Sequence, residues 1–117
     1  CEGIYKTMLK GKAGEVYNIG GNNEKTNKYI VDKICRILDD VFPVEKNKNM
    51  PKNMNSYSEL IENVKDRPGH DFRYSIDTSK IKEELNWEPI ETFESGILKT
   101  VNWYIENLDR FKDSSLE

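Results

Sequence analysis

Cysteine, histidine and proline are scarce in this chain: two cysteines, one histidine and four prolines among 117 residues. One cysteine pair provides neither a disulfide framework nor a metal-ligand set. Cys1 is terminal and Cys35 falls within a helical apolar pattern, so a reducing cytoplasm is the expected setting. No apolar run approaches the ~20 residues of a membrane span, so neither a signal peptide nor a membrane role is expected. A basic field is missing too. Eighteen Lys and Arg stand against 21 Asp and Glu, a net charge of −3 with both signs interspersed, which excludes an electrostatic nucleic-acid surface. Neither the dinucleotide fingerprint G-x-G-x-x-G nor a P-loop occurs.

What remains is a charge-decorated globule of one small domain at most, with 36% hydrophobic and 33% charged residues. The chain opens without an initiator Met, and Ile4, Met8 and Leu9 already read as the middle of a helix. A piece of a longer protein is therefore expected. Residues 111–117 read as a polar tail expected to be disordered, and 1–110 as the folded region.

Residues 2–10 form a helix tail ended by Gly11 and Gly14. Residues 15–19 read as a short strand stopped by Gly20-Gly21. Tyr29, Ile30, Ile34, Ile37, Leu38 and Val41 recur at helical spacing, which predicts a helix over about 26–41 with Thr26 or Asn23 as N-cap. Pro43 to Tyr57 has little apolar content and no period, and reads as a long surface loop. Residues 61–65 and 73–76 are further strand candidates. Asp77 then caps a helix bearing Ile81 and Leu85, and Thr92 caps a last one with Phe93, Ile97, Val101, Tyr104 and Leu108 on one face. The expected class is α/β, in an α+β-like arrangement of short strands and about four helices.

Three features invite a functional reading. Gly20-Gly21 sits between a strand and a helix, where phosphates often bind, but a tight turn using positive φ explains the glycines fully. Tyr29 and Lys33 have the Tyr-x-x-x-Lys spacing that lets an ammonium lower a phenol's pKa. With no nucleotide loop upstream, they read as an ordinary helix-surface pair. Asp66-Arg67-Pro68-Gly69-His70-Asp71 differs in kind. Its Pro-Gly turn projects a guanidinium fork and an imidazole from one loop, with flanking carboxylates able to hold both. Chemistry alone leaves an anion site and a surface salt-bridged turn equally open. Asn27, at the start of the long helix, offers donors for a phosphate or base, although a capping role is the simpler reading. Trp87, Trp103 and Tyr104 read as core or subunit surface, since no basic groove accompanies them to make a base-stacking platform.

Taken in order, these residues resemble the C-terminal part of the dTDP-glucose 4,6-dehydratases, extended members of the short-chain dehydrogenase/reductase family. The resemblance rests on Gly-Glu-Val-Tyr-Asn-Ile-Gly-Gly over 14–21, Asn-Glu-Lys-Thr-Asn over 23–27, the 66–71 stretch with Arg73-Tyr74, and Ile76-Asp77. It continues through Lys80-Ile81, Glu84-Leu85-Asn86-Trp87 with Pro89, Thr92-Phe93-Glu94 with Gly96, Thr100-Val101 and Trp103-Tyr104. It covers about residues 1–107 and weakens only over 43–56. The Arg-Pro-Gly-His-Asp-x-Arg-Tyr stretch is its most particular part; the Tyr-Asn-Ile-Gly and Trp-x-Pro features are shared with related epimerases and decarboxylases.

The resemblance implies an NAD-dependent lyase of deoxysugar (rhamnose-type) synthesis, homodimeric as the parent enzyme. Such an enzyme oxidises the sugar at C4, eliminates water across C5 and C6, and returns the hydride to C6. By position, Asn27, Arg67 and His70 match the family's dTDP-sugar contacts. NAD, the Tyr-x-x-x-Lys base and an Asp-Glu acid/base pair would belong to a preceding Rossmann region. No catalytic, cofactor or metal residue is therefore expected here, and the segment is expected to be inactive by itself. The competing readings are the C-terminal part of another NAD-dependent nucleotide-sugar epimerase or decarboxylase, and a free-standing nucleotide-binding module.

Overall fold

The computed structural model describes residues 1–111, so the expected tail at 111–117 lies outside the described residues beyond Phe111. Four α-helices appear in the expected places: α1 (Glu2–Lys10), α2 (Asn27–Val41), α3 (Ser79–Leu85) and α4 (Phe93–Glu106). Short 3₁₀ turns add Val44–Lys46, Tyr57–Leu60 and Leu108–Phe111. Leu108 therefore lies beyond the helix to which its spacing assigned it. The chain divides into two compact units, Cys1–Glu24 with Asp66–Phe93, and Lys25–Lys65 with Glu94 onward.

The strands expected at 15–19, 61–65 and 73–76 do not form among the described residues. A strand exists only where a neighbouring backbone completes its ladder. Here the first and third segments are each tied by a side chain to a residue just beyond the other. Asn18 Nδ2 donates to the carbonyl of Asp77 at 3.1 Å and Ser75 Oγ to Glu24 at 2.6 Å. Alternation in the sequence indicated an extended backbone, but β-pairing requires a partner that alternation does not supply.

In the first unit, Ile81, Leu85 and Trp87 form a small core against which Tyr17 packs. Ile81 is fully buried. Gly3 lets α1 lie on the Trp87 ring, since a Cβ there would stand 3.1 Å from it. Lys6 Nζ then reaches the carbonyl of Asn86 at 3.0 Å. Asn86 ends α3 in the left-handed region at φ 48°, a conformation that Asn tolerates. Tyr17 donates its hydroxyl to Glu84 at 2.8 Å. At the start of α3, the Asp77 carboxylate accepts both the N–H and the hydroxyl of Ser79, at 2.9 and 2.6 Å. It satisfies a helix-end donor as expected, although Thr78 occupies the formal cap position.

In the second unit, Thr26 caps α2, its hydroxyl accepting the Tyr29 N–H at 3.1 Å. Cys35 packs with Val44 and Tyr57, backed by Leu38, Phe42 and Met50. The segment expected to be a surface loop thus contributes two buried core residues. Asp39 of α2 holds it in place by accepting the Tyr57 N–H at 2.9 Å and the Ser56 hydroxyl at 2.7 Å. The Tyr57 hydroxyl donates to the Phe42 carbonyl at 2.8 Å.

Candidate functional site

Within the first unit, Arg67 and His70 are brought together by one turn. Pro68 and Gly69 occupy its centre, and Gly69 has φ +73°, close to the third position of a type II turn, where a side chain would be strained. One oxygen organises the loop. Asp66 Oδ1 accepts the Arg67 backbone N–H at 2.8 Å and lies 2.7 Å from His70 Nδ1. The hydrogen bond from His70, with help from the Arg67 N–H, lowers the Asp66 carboxyl below its ordinary range. Both carboxylates were expected to hold the turn; Asp66 does so, while Asp71 enters no ion pair among the described residues. The Arg67 side chain is exposed, and among the described residues no carboxylate pairs with its guanidinium. A guanidinium without a carboxylate partner and an imidazole, three residues apart on one turn, are each chemically suited to an anion.

Asn27 belongs to the second unit. It is the first residue of α2, and because Thr26 supplies the cap, its carboxamide is not engaged in capping. It lines a cleft of about 480 Å³ that runs along α2 past Val31 and Cys35 to Leu60 and Asn63. Burial, then Asp39 and Asp32, push the Cys35 thiol up, away from the thiolate that reactivity would need. Tyr29, of the Tyr-x-x-x-Lys pair, donates to Glu94 at 3.4 Å, and the Lys25 ammonium lies 5.4 Å from its ring centre.

A second cleft in the first unit, about 630 Å³, went unnoticed in the sequence. Gly21, Asn23, Glu24, Arg73, Tyr74 and Ile76 line it. Arg73 pairs with Glu24 at 2.5 Å, and these bonds lower the Glu24 carboxyl and raise the Arg73 guanidinium. Gly20 and Gly21 do not use positive φ, contrary to the tight-turn expectation. Gly20 is needed for space, because a Cβ there would come within 2.3 Å of Ile76 Cγ2. The available signal was the arrangement of Glu24 and Arg73 as opposite charges flanking the two extended segments. Among the described residues no group of His, Cys, Asp and Glu is arranged to hold a metal ion.

Residues 1–100 match the family model described as GDP-mannose 4,6 dehydratase, and the chain belongs to that family. Its relatives sharpen the assignment. A dTDP-glucose 4,6-dehydratase of Escherichia coli is 55% identical over 104 residues, which is 89% of this chain and 26% of that protein. One from Neisseria gonorrhoeae is 50% identical over 107 residues, 92% of this chain and 30% of that protein. The crystal structure of dTDP-glucose 4,6-dehydratase from Bacillus anthracis in complex with NAD superposes with a TM-score of 0.71 at 44% identity, covering 93% of this chain and 29% of that one. The likeness read from the residues is therefore correct. This chain spans between a quarter and a third of the length of these relatives.

Proposed function

We propose that this chain is the dTDP-sugar-binding part of an NAD-dependent dTDP-glucose 4,6-dehydratase acting in deoxysugar synthesis, and that it is inactive by itself. The carrying observation is the Asp66-held turn, which carries both His70 and an Arg67 whose guanidinium has no carboxylate partner among the described residues. Around it the chain is 50–55% identical to enzymes of that name. Arg67 and His70 bind the diphosphate and Asn27 contacts the nucleotide. NAD and the residues that move the hydride and protons belong to polypeptide that this chain does not match; the absence of a G-x-G-x-x-G loop supports that division. The parent enzyme is proposed to be a cytoplasmic homodimer, and no helix among the described residues is long and apolar enough to cross a membrane. Binding energy gathered at the nucleotide would position a sugar whose reacting carbons lie elsewhere.

The family model's description names a GDP sugar, so the choice of base is part of the test. In a heteronuclear NMR titration, dTDP shifts resonances at Asn27, Arg67 and His70, and does so at lower concentration than UDP or GDP. Arg67→Ala weakens dTDP binding tenfold or more, ~1.4 kcal/mol. No shift at millimolar dTDP sinks the reading, and tighter GDP binding moves the chain to a GDP-sugar enzyme.

A further inference from the structure

We propose that Asp66 is a positioning residue that selects which nitrogen of His70 meets the ligand, and that a phosphate oxygen is met by Nε2. The proposal rests on the nucleotide-binding reading above and adds to it the device that prepares the site.

The argument begins with one carboxylate oxygen. Asp66 Oδ1 serves the Arg67 N–H and His70 Nδ1 together. A carboxylate only accepts, so Nδ1 must carry the proton that lies between them. This dictates the tautomer. A neutral imidazole with its proton on Nδ1 leaves Nε2 as a bare lone pair, and Nε2 has no protein partner among the described residues. To meet a phosphate oxygen, Nε2 takes a proton from solvent and donates it in a hydrogen bond. The carboxylate at Nδ1 keeps its hydrogen bond to the ring while Nε2 donates. With Nδ1 engaged, the ring is held at both ends when the anion is present. The same oxygen also accepts the backbone N–H of Arg67, so one carboxylate ties the start of the turn to the His70 ring. His70 is partly shielded and Asp66 largely exposed, with side-chain exposures of 28% and 74%. The ring is thus held by its partner rather than by enclosure.

His70 is the only histidine in the chain, so its ring nitrogens can be read in ¹⁵N NMR without assignment ambiguity. At a pH where the ring is neutral, the wild type is expected to show the Nδ1–H form predominating. Asp66→Ala shifts the population towards Nε2–H and weakens dTDP binding at least fivefold. Asp66→Asn retains an accepting oxygen, so it keeps the Nδ1–H form and restores part of the affinity. A merely structural role for Asp66 would not move the tautomer ratio. An unchanged ratio in Asp66→Ala overturns the proposal, as does a changed ratio with wild-type affinity. If wild-type protein fails to bind dTDP while the tautomer responds as expected, the nucleotide reading falls and the positioning by Asp66 stands.

Discussion

Glu24 and Arg73 are far apart in sequence and meet in one ion pair, closed on its other side by the Ser75 hydroxyl. The bonds from Arg73 and then Ser75 depress the Glu24 carboxyl below its ordinary 4.5. A carboxyl depressed on folding contributes stability that is present above its unfolded pKa and lost as pH falls through its folded one. The loss therefore begins below about pH 4.5 and continues downwards. Arg73 is raised from an already very basic value by the same pairing, so its counterpart loss lies outside any working range. Glu24→Gln is expected to flatten the decline of the urea midpoint between pH 5 and pH 3 (roughly one unit either side of the ordinary Glu value). A decline as steep as in the wild type would show that the pair adds nothing, as many exposed pairs do. Each residue of the pair was visible as a charge in the sequence, but their meeting was not. The 66–71 turn was legible because Pro68 and Gly69 set its backbone locally.

At the scale of elements, the four helices follow from apolar spacing and end chemistry. Thr26 as cap and Gly11 after α1 were legible because a helix end is satisfied by residues within a turn of it. The 43–57 segment shows the opposite case. Its buried residues, Val44 and Tyr57, lie at its two ends without period, and Asp39 on α2 is what holds the second. Asp39→Ala removes the acceptor for the Tyr57 N–H and the Ser56 hydroxyl. It is expected to cost about 1–3 kcal/mol, the range for leaving part-buried donors unmet, measured as a lowered urea midpoint. Asp39→Asn, which keeps one acceptor, should lose less. If alanine leaves the midpoint unchanged, Tyr57 is held by its hydrophobic contacts and its hydroxyl's bonds with Phe42 and Asn47.

For the whole molecule, the balance of surface is unusual. Few side chains are well buried, while Ile4, Tyr5, Met8 and Leu9 of α1 are each more than half exposed, as are Val16 and Val64. In the second unit, Trp103 and Tyr104 stack edge to face at 5.2 Å, and both are about half exposed. Contiguous exposed apolar surface on a small protein favours association. The chain is expected to self-associate, with a weight-average mass in sedimentation velocity that rises with concentration. Paired Ile4→Ser and Met8→Ser substitutions should reduce that rise. A single monomeric species at all concentrations would contradict the expectation.

By itself the sequence determined what depends on neighbours along the chain: helical periods, caps, and a turn that Pro68 and Gly69 dictate. It also carried enough of the family's residues to place the chain among the 4,6-dehydratases. Only the tertiary structure decided what depends on partners remote in sequence. It turned Gly20 from a turn residue into one required by Ile76, and joined Asp39 to Tyr57 and Glu24 to Arg73. It also left the extended segments without a ladder. The physical reason is common to all of these: hydrogen bonds and close packing between distant residues require the chain to be brought together first, and local pattern does not encode which groups then meet.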